Sequence, residues 1–207
     1  MQHQASSSTL NQMNLTDQKG MFELRHDVFS VRLGWDVESH DGQERDHFDN
    51  LPQAAYVIAK SDINEVDACW RLLPTTGPYM LRDTFPQLLG AAPAPNDPRV
   101  WEMSRFAVAT DRVATATGSF GPITKALFVE CARFARIHGI HRYVTVTTLP
   151  IERMIRQLGV NVQRIGDSVR IGVVKAVAVE IQVDKKTLEA IGEYHPEDVP
   201  TTPMLSS

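Results

Sequence analysis

The chain has 207 residues, a formal net charge of −4, and 43% hydrophobic against 22% charged residues, the balance of one folded domain with a sizeable core rather than a disordered chain. No stretch approaches the ~20 apolar residues needed to span a bilayer, and the start, MQHQASSSTLNQMNLTDQKG, lacks the basic segment and apolar run of a secretory signal. Cys69 and Cys131 lie far apart without metal-type spacing and read as free thiols of a cytoplasmic protein.

Residues 1–15 read as a polar tail. MFELRHDVFSVRLGW then places Met21, Leu24, Val28 and Val31 at helical spacing, which predicts an amphipathic helix. The next segment, GWDVESHDGQERDHFDN, carries six carboxylates (Asp36, Glu38, Asp41, Glu44, Asp46, Asp49) beside Trp35 and Phe48. A solvated loop accounts for the charge but not for the rings. AAYVIAKS and DACWRLLP read as strands with Asn64 in the turn between them. PTTGPYMLRDTFPQLLGAAPAPNDP is too rich in proline for more than a turn of helix.

RVWEMSRFAV is a further strand, and GPITKALFVECARFARIHG a helix opened by Pro122 and closed by Gly139, with Ile123, Leu127, Cys131 and Phe134 as its apolar stripe. HRYVTVTT is a β-branched strand and PIERMIRQLG the helix after it. VRIGVVKAVAVEIQV closes the sheet with Val177, Val179, Ile181 and Val183 on alternating positions, and residues 185–207 form a C-terminal extension. This alternation predicts a single α/β domain, a three-layer α/β/α sandwich around a mixed sheet.

Charge is unevenly placed. Residues 1–70 hold twelve acids against five Lys/Arg, and residues 125–175 hold nine Lys/Arg against three acids. That division suggests a cation-binding half and an anion-binding half. The acidic total and the lack of a recognition motif argue against nucleic acid.

Arg25, Phe29 and Trp35, then Glu44, Asp46 and Asp49 in ERDHFD, Arg71 in CWRLLPTTGPYML, and Glu102 with Arg105 in WEMSRF resemble the ordered signature of acyl-homoserine-lactone synthases, the LuxI-type autoinducer makers. LPTTGPYMLRDTFPQLL and YVTVTTLPIERMI resemble the LasI branch most, and the resemblance runs from Met21 to Val183. It implies a GNAT-like N-acyltransferase fold with a largely antiparallel sheet. It also implies no permanently bound cofactor: S-adenosylmethionine is the substrate, N-acylated from a phosphopantetheine thioester on acyl-carrier protein, and lactonisation then expels methylthioadenosine.

The residue types suit that chemistry. A sulfonium cannot be deprotonated, so its site can offer only ring faces or negative charge, as Phe29, Trp35 and the neighbouring acids do. The α-amine, titrating near ~8, must lose a proton before attack. Glu44, Asp46 and Glu102 are the candidate bases, with Glu44 and Glu102 favoured and Asp46 and Asp49 holding the amine or fixing the loop. Arg25, Arg71 and Arg105 suit bidentate contacts, either to the substrate carboxylate or to these acids, the second role being favoured for Arg71. Glu102 and Arg105 are three apart, so a regular strand would point them to opposite faces. A β-bulge is therefore predicted between them, freeing backbone N–H groups near Ser104–Phe106 for the tetrahedral intermediate.

An apolar acyl tunnel behind the sheet would be lined by Met80, Ser104, Phe106, Thr145, Val146, Thr147 and Ile155. In the family, threonine at the position of Thr145 goes with 3-oxo chains, and a 3-hydroxy chain would satisfy the same donor. Arg133, Arg136, Arg153, Arg156, Arg164 and Lys175 could form the docking face for the acidic carrier protein. His40 and His47 stand beside acids without ligand spacing, so solvated rings and no metal are expected. Two rivals remain: an acetyl-CoA-dependent GNAT acetyltransferase, for whose pyrophosphate turn ATGSFGP is a poor version, and a catalytically silent ligand-binding module.

Overall fold

Strands β4 (Ala55–Lys60) and β5 (Val66–Pro74) are almost wholly apolar and almost wholly buried, as strands covered on both faces must be. They form the centre of a computed structural model that describes residues 4–112, 121–172 and 174–194. In chain order the other elements are β1 (Gln4–Thr9), α1 (Leu15–His26), a small hairpin of β2 (Ser39–His40) and β3 (Gln43–Glu44), α2 (Met80–Asp83), β6 (Val100–Val108), α3 (Pro122–His138), β7 (Arg142–Thr148), α4 (Leu149–Gln157), β8 (Val162–Arg164), β9 (Val169–Ile171), β10 (Val174–Gln182) and α5 (Lys185–Ile191). The sheet order is β1-β4-β5-β6-β7-β10-β8, with β9 also on β10. Every pair is antiparallel except β6 with β7.

Helices cover both faces. Met21, Phe22 and Leu24 of α1 pack with Leu81 of α2 on one side. Ile123 and Leu127 of α3, Ile155 of α4 and Ile191 of α5 pack on the other. The three-layer, largely antiparallel α/β/α arrangement expected from the sequence is therefore present. The α3 stripe of Ile123, Leu127, Cys131 and Phe134 is buried throughout. Gly139 ends that helix at φ +65°, a backbone state that L side chains seldom adopt. No helix among the described residues is long and apolar enough to cross a membrane.

Four expectations change. Residues 4–9, expected within a tail, pair with β4 as an edge strand, and Ser7 Oγ donates to Glu130 on α3 at 2.7 Å. Serine and threonine runs carry no hydrophobic signal, so this strand is specified by its partner. The first helix begins at Leu15, where Asn14 accepts from the Asp17 amide at 2.9 Å, rather than at Met21. From Asp27 to Arg32 it winds as a π-helix, which shifts the phase: Val28 and Phe29 stay buried while Val31 turns out. The last strand is a hairpin of β9 and β10 around Gly172, and part of the C-terminal extension is α5, capped by Asp184. Residues 116–120 of ATGSFGP and 195–207 of the extension lie outside the described residues.

Two irregularities in β6 position everything that follows. Cys69 pairs with Ala107 and Arg71 with Ser104, so Trp70 stands opposite two residues, Arg105 and Phe106. Arg105 has φ +58°, the signature of a bulge. The predicted bulge is present. Second, β6 and β7 pair only over Val100–Met103 and Arg142–Thr145, and both strands then run on unpaired to each other.

The π-helical turn makes a contrast that unfolding can measure. Val28→Ala should cost about 2 kcal/mol of stability, since two buried methyl groups leave a cavity. Val31→Ala should stay within about 0.5 kcal/mol, as at other exposed sites. Urea midpoints of the two variants check both.

Candidate active site

The capping box at Asp46 organises the acidic segment. Asp46 accepts from the Phe48 amide at 3.0 Å, and Asp49 returns a contact to the Asp46 amide at 2.9 Å, closing a 3₁₀ turn over His47–Asn50. That turn puts Asp46 and Asp49 on one side and drives Phe48 into the core, where the Arg71 guanidinium lies 5.4 Å from its ring centroid. Phe48 is thus a core anchor.

Three arginines meet these acids. Arg25 grips Asp49 bidentately at 2.9 and 2.8 Å and donates Nε to Glu44. Arg71 grips Asp46 bidentately, donates to Asp49 at 2.9 Å, and reaches Ser104 Oγ at 3.2 Å. Arg105 donates to Glu44 at 2.9 Å and pairs with Asp46 at 2.8 Å. Tyr56 adds a hydroxyl bond to Asp49 at 2.8 Å. Three positive and three negative groups balance in a lattice whose members are buried, with Arg105 and Asp46 at its rim. The sequence left open whether Arg25 and Arg105 would serve the substrate carboxylate or the acids. Arg25 is committed to the acids, the role favoured for Arg71, whereas Arg105 is held by Glu44 and Asp46 yet stands partly exposed at the rim.

Burial alone would push the Asp49 carboxyl up, but Arg25 and then Arg71 hold it well below its ordinary 3.8. Glu44, favoured as a proton acceptor from the sequence, is fully buried with both oxygens on arginines. Glu102 differs from all of these. Its oxygens accept from the Met80 and Leu81 amides at 2.9 and 2.6 Å, capping α2, and among the described residues no arginine bonds to it, Arg71 and Arg105 acting on it only through space. Burial pushes its carboxyl up to about 7, against the pull of those two amides. The bulge brings Glu102 and Arg105 to the same face, where Met80 Sδ lies 3.1 Å from Arg71 and 3.4 Å from Arg105.

The aromatic residues are set by the π-helical turn. Phe29 is buried, stacks on Trp35 with centroids 5.4 Å apart, and carries the Arg105 guanidinium 5.5 Å from its ring. Trp35 is 37% exposed, so it is the ring with a face open to solvent. Arg32 ties this turn to the end of β6 by bonds to the Val108 carbonyl at 3.1 Å and to Thr110 Oγ1. Asp36, Glu38 and Asp41 stay exposed, and Glu38, Asp41 and Asp46 line an open depression of about 480 Å³ that His40 and His47 also border. The His40 ring lies 2.9 Å from Asp41.

The tunnel candidates divide between the two faces of the sheet. Met80 and Val146 belong with the α1 side, as does Ser104, which accepts from Arg71. Phe106 and Ile155 belong with the α3 side, and strand alternation puts Thr145 and Thr147 there too. A single space behind the sheet cannot contain them all. What joins the two groups is the split between β6 and β7, which Ser104, Phe106, Val146 and Thr147 flank.

The docking candidates are partly neutralised. Arg156 and Arg164 both bind Glu152, whose side chain is 3% exposed, and Arg133 binds Glu193. Arg136, Arg153 and Lys175 are exposed. Sequence reasoning missed Glu152, though its i,i+4 spacing from Arg156 was a signal, and it missed Arg32, Tyr56 and Trp70.

The family described as autoinducer synthase matches residues 9–191, a wider span than the resemblance read from motifs. An acyl-homoserine-lactone synthase of Aliivibrio fischeri is 46% identical over 149 residues, 72% of this chain and 76% of that protein. The crystal structure of the AHL synthase LasI superposes with TM-score 0.79 at 37% identity, covering 91% of this chain and 93% of that one. TofI, crystallised in a ternary complex with an inhibitor and MTA, gives TM-score 0.81 at 31% identity, covering 95% and 100%. A protein described as an N-acetyltransferase, from Lactobacillus plantarum, shares the fold at TM-score 0.60 and 12% identity, covering 89% and 100%.

Asp49→Asn removes the charge that two buried arginines share and should cost about 3–5 kcal/mol at neutral pH. Because the folded state lowers this carboxyl, its stabilisation is present above 3.8 and lost as pH falls through the lower folded value. The gap between wild type and variant in urea unfolding should therefore be constant above about pH 5 and begin to narrow only below 3.8, with most of it still present at pH 3.

Proposed function

The chain belongs to the autoinducer synthase family and is an acyl-homoserine-lactone synthase, an acyltransferase, and from that premise we propose that it takes its acyl group from acyl-carrier protein and its amine from S-adenosylmethionine. The observation that carries the reading is Glu102, a buried carboxyl raised by burial to about 7 and hydrogen-bonded to the Met80 and Leu81 amides, with no arginine bonded to it among the described residues, on the same face as Arg105. A carboxylate with that acidity is a better proton acceptor for an α-amine than acids already held by arginines.

In this reading Trp35 offers its open face to the sulfonium, and Asp36, Glu38 and Asp41 supply the negative field that the neutral arginine–carboxylate lattice cannot. Asp46 and Arg105, at the rim of the lattice, orient the amine and carboxylate of the substrate. Glu44 holds Arg25 and Arg105 in place instead of moving a proton. The amine, once deprotonated through Glu102, attacks the thioester carbon. Backbone N–H groups of the bulge near Ser104–Phe106 receive the oxyanion, and the thiol of phosphopantetheine leaves. The carboxylate of the acylated substrate then attacks its own γ-carbon, closing the lactone and releasing methylthioadenosine. The MTA bound in the TofI structure supports the second step. The thioester enters by the β6–β7 split, the exposed Arg153 and Lys175 attract the carrier, and buried free Cys69 and Cys131 suit the cytoplasm in which we place the enzyme.

The test is purified enzyme with S-adenosylmethionine and either acyl-carrier-protein or coenzyme A thioesters, followed by mass spectrometry. Lactone and methylthioadenosine should appear together with the carrier thioester. That rate should fall as sodium chloride rises, while any rate with the coenzyme A thioester changes less. Efficient turnover with coenzyme A alone would overturn the carrier assignment.

Glu102→Gln should lower kcat/KM by about 10²–10⁴-fold and remove the acidic limb of its pH profile near 7. Since folding raises this carboxyl, its contribution to stability is present below 4.5 and lost as pH rises through about 7. The variant should therefore gain on wild type in unfolding experiments between pH 5 and 8. Full activity in the variant would remove Glu102 from the proton transfer.

A further inference from the structure

Trp70 is 3% exposed, yet its indole Nε1–H has no hydrogen-bond partner among the described residues. Buried tryptophans normally find one, and leaving such a donor unpaired costs about 1–3 kcal/mol. The ring is fixed from two sides. Phe106 lies 4.9 Å away, centroid to centroid, and Phe128 meets it edge-on at 5.1 Å. It cannot easily turn to find another acceptor.

Its place in the sheet gives the donor a use. Trp70 stands opposite the bulged pair Arg105 and Phe106, on the α3 face. Glu102 and Arg105 work on the opposite face, and the β6–β7 split beside the bulge connects the two. A thioester reacting at Glu102 would thread its acyl chain through that split. The first carbons beyond the thioester would then pass beside Trp70. An indole N–H is a donor with no acceptor capacity, so what it can recognise there is an oxygen on the chain.

We propose that the Trp70 indole N–H, left unpartnered opposite the β6 bulge, is a specificity-determining donor that binds an oxygen substituent at the third carbon of the acyl chain. The inference rests on the acyl-transfer reading above and deepens it. It assigns to Trp70 a task that the sequence placed on Thr145, whose hydroxyl lies on the same face and makes a long contact of 3.5 Å to the Val146 carbonyl. An unsubstituted chain leaves the Trp70 donor as unsatisfied as it is in the free enzyme, whereas a 3-oxo or 3-hydroxy chain satisfies it.

Trp70→Phe keeps a ring between Phe106 and Phe128 and removes only the donor. Wild type, Trp70→Phe and Thr145→Val would be compared on carrier thioesters of equal length bearing a 3-oxo, a 3-hydroxy or no substituent. In Trp70→Phe, kcat/KM should fall on the order of tenfold for the two oxygenated chains and stay within about twofold for the plain chain. Calorimetry with the 3-oxo and unsubstituted lactone products reads the same contact without turnover. Wild type should prefer the oxygenated product by a similar factor, and Trp70→Phe should not. Equal losses on all chains, no loss at all, or a preference abolished by Thr145→Val alone would overturn the proposal. If carrier thioesters fail to turn over while the product preference persists and disappears in Trp70→Phe, the carrier assignment falls and the donor stands.

Discussion

The structure depends on the neutralisation of Arg25, Arg71 and Arg105 by Glu44, Asp46 and Asp49 in the largely buried space between α1 and the sheet. Each of these groups alone would be costly to bury, and the six together leave no net charge. The lattice joins α1, the 3₁₀ turn, β5 and β6 through hydrogen bonds with fixed directions. Apolar packing could hold these elements together, but it would not fix the orientation of Arg105 and Asp46 at the rim. A site that must present a proton acceptor, rings and polar groups at set distances needs that directional framework.

The lattice also divides the acidic segment into two chemical populations. Glu44, Asp46 and Asp49 are spent on arginines, and Asp36, Glu38 and Asp41 remain exposed to solvent. Glu102 forms a third kind: buried, bonded among the described residues to the Met80 and Leu81 amides, and raised by burial. Carboxylates that look alike in the chain thus end in three environments: paired with arginines, exposed to solvent, or buried on backbone amides. Solvation and the nearest cation make the difference.

One backbone irregularity makes the arrangement possible. With Arg105 in the left-handed region, β6 inserts one residue opposite Trp70 and reverses the alternation of its side chains. Val100, Glu102, Arg105 and Ala107 then share one side while Trp101, Met103, Phe106 and Val108 share the other. The same insertion lies beside the point where β6 and β7 part, so the polar face and the apolar face communicate there. Relatives with 31–46% identity place this chain among the autoinducer synthases.

By itself the sequence determined the elements with a strong apolar period, the two proline-opened, glycine-closed helices, and the dispersed set of acids and arginines. It also pointed to the bulge, since in a regular strand Glu102 and Arg105 would face opposite ways. Periodicity and spacing are local properties, and these features are local. It did not determine β1, whose serines pair only because β4 offers an edge, nor the outward turn of Val31, which follows from a π-helical phase shift. Which acid meets which arginine, the exclusion of Glu44 from solvent, the neutral-range carboxyl of Glu102 and the unpartnered Trp70 were decided by tertiary structure alone. Burial and charge neighbours are sums over groups distant in the chain, and they exist only once the sheet has brought β5 and β6 against α1 and α3.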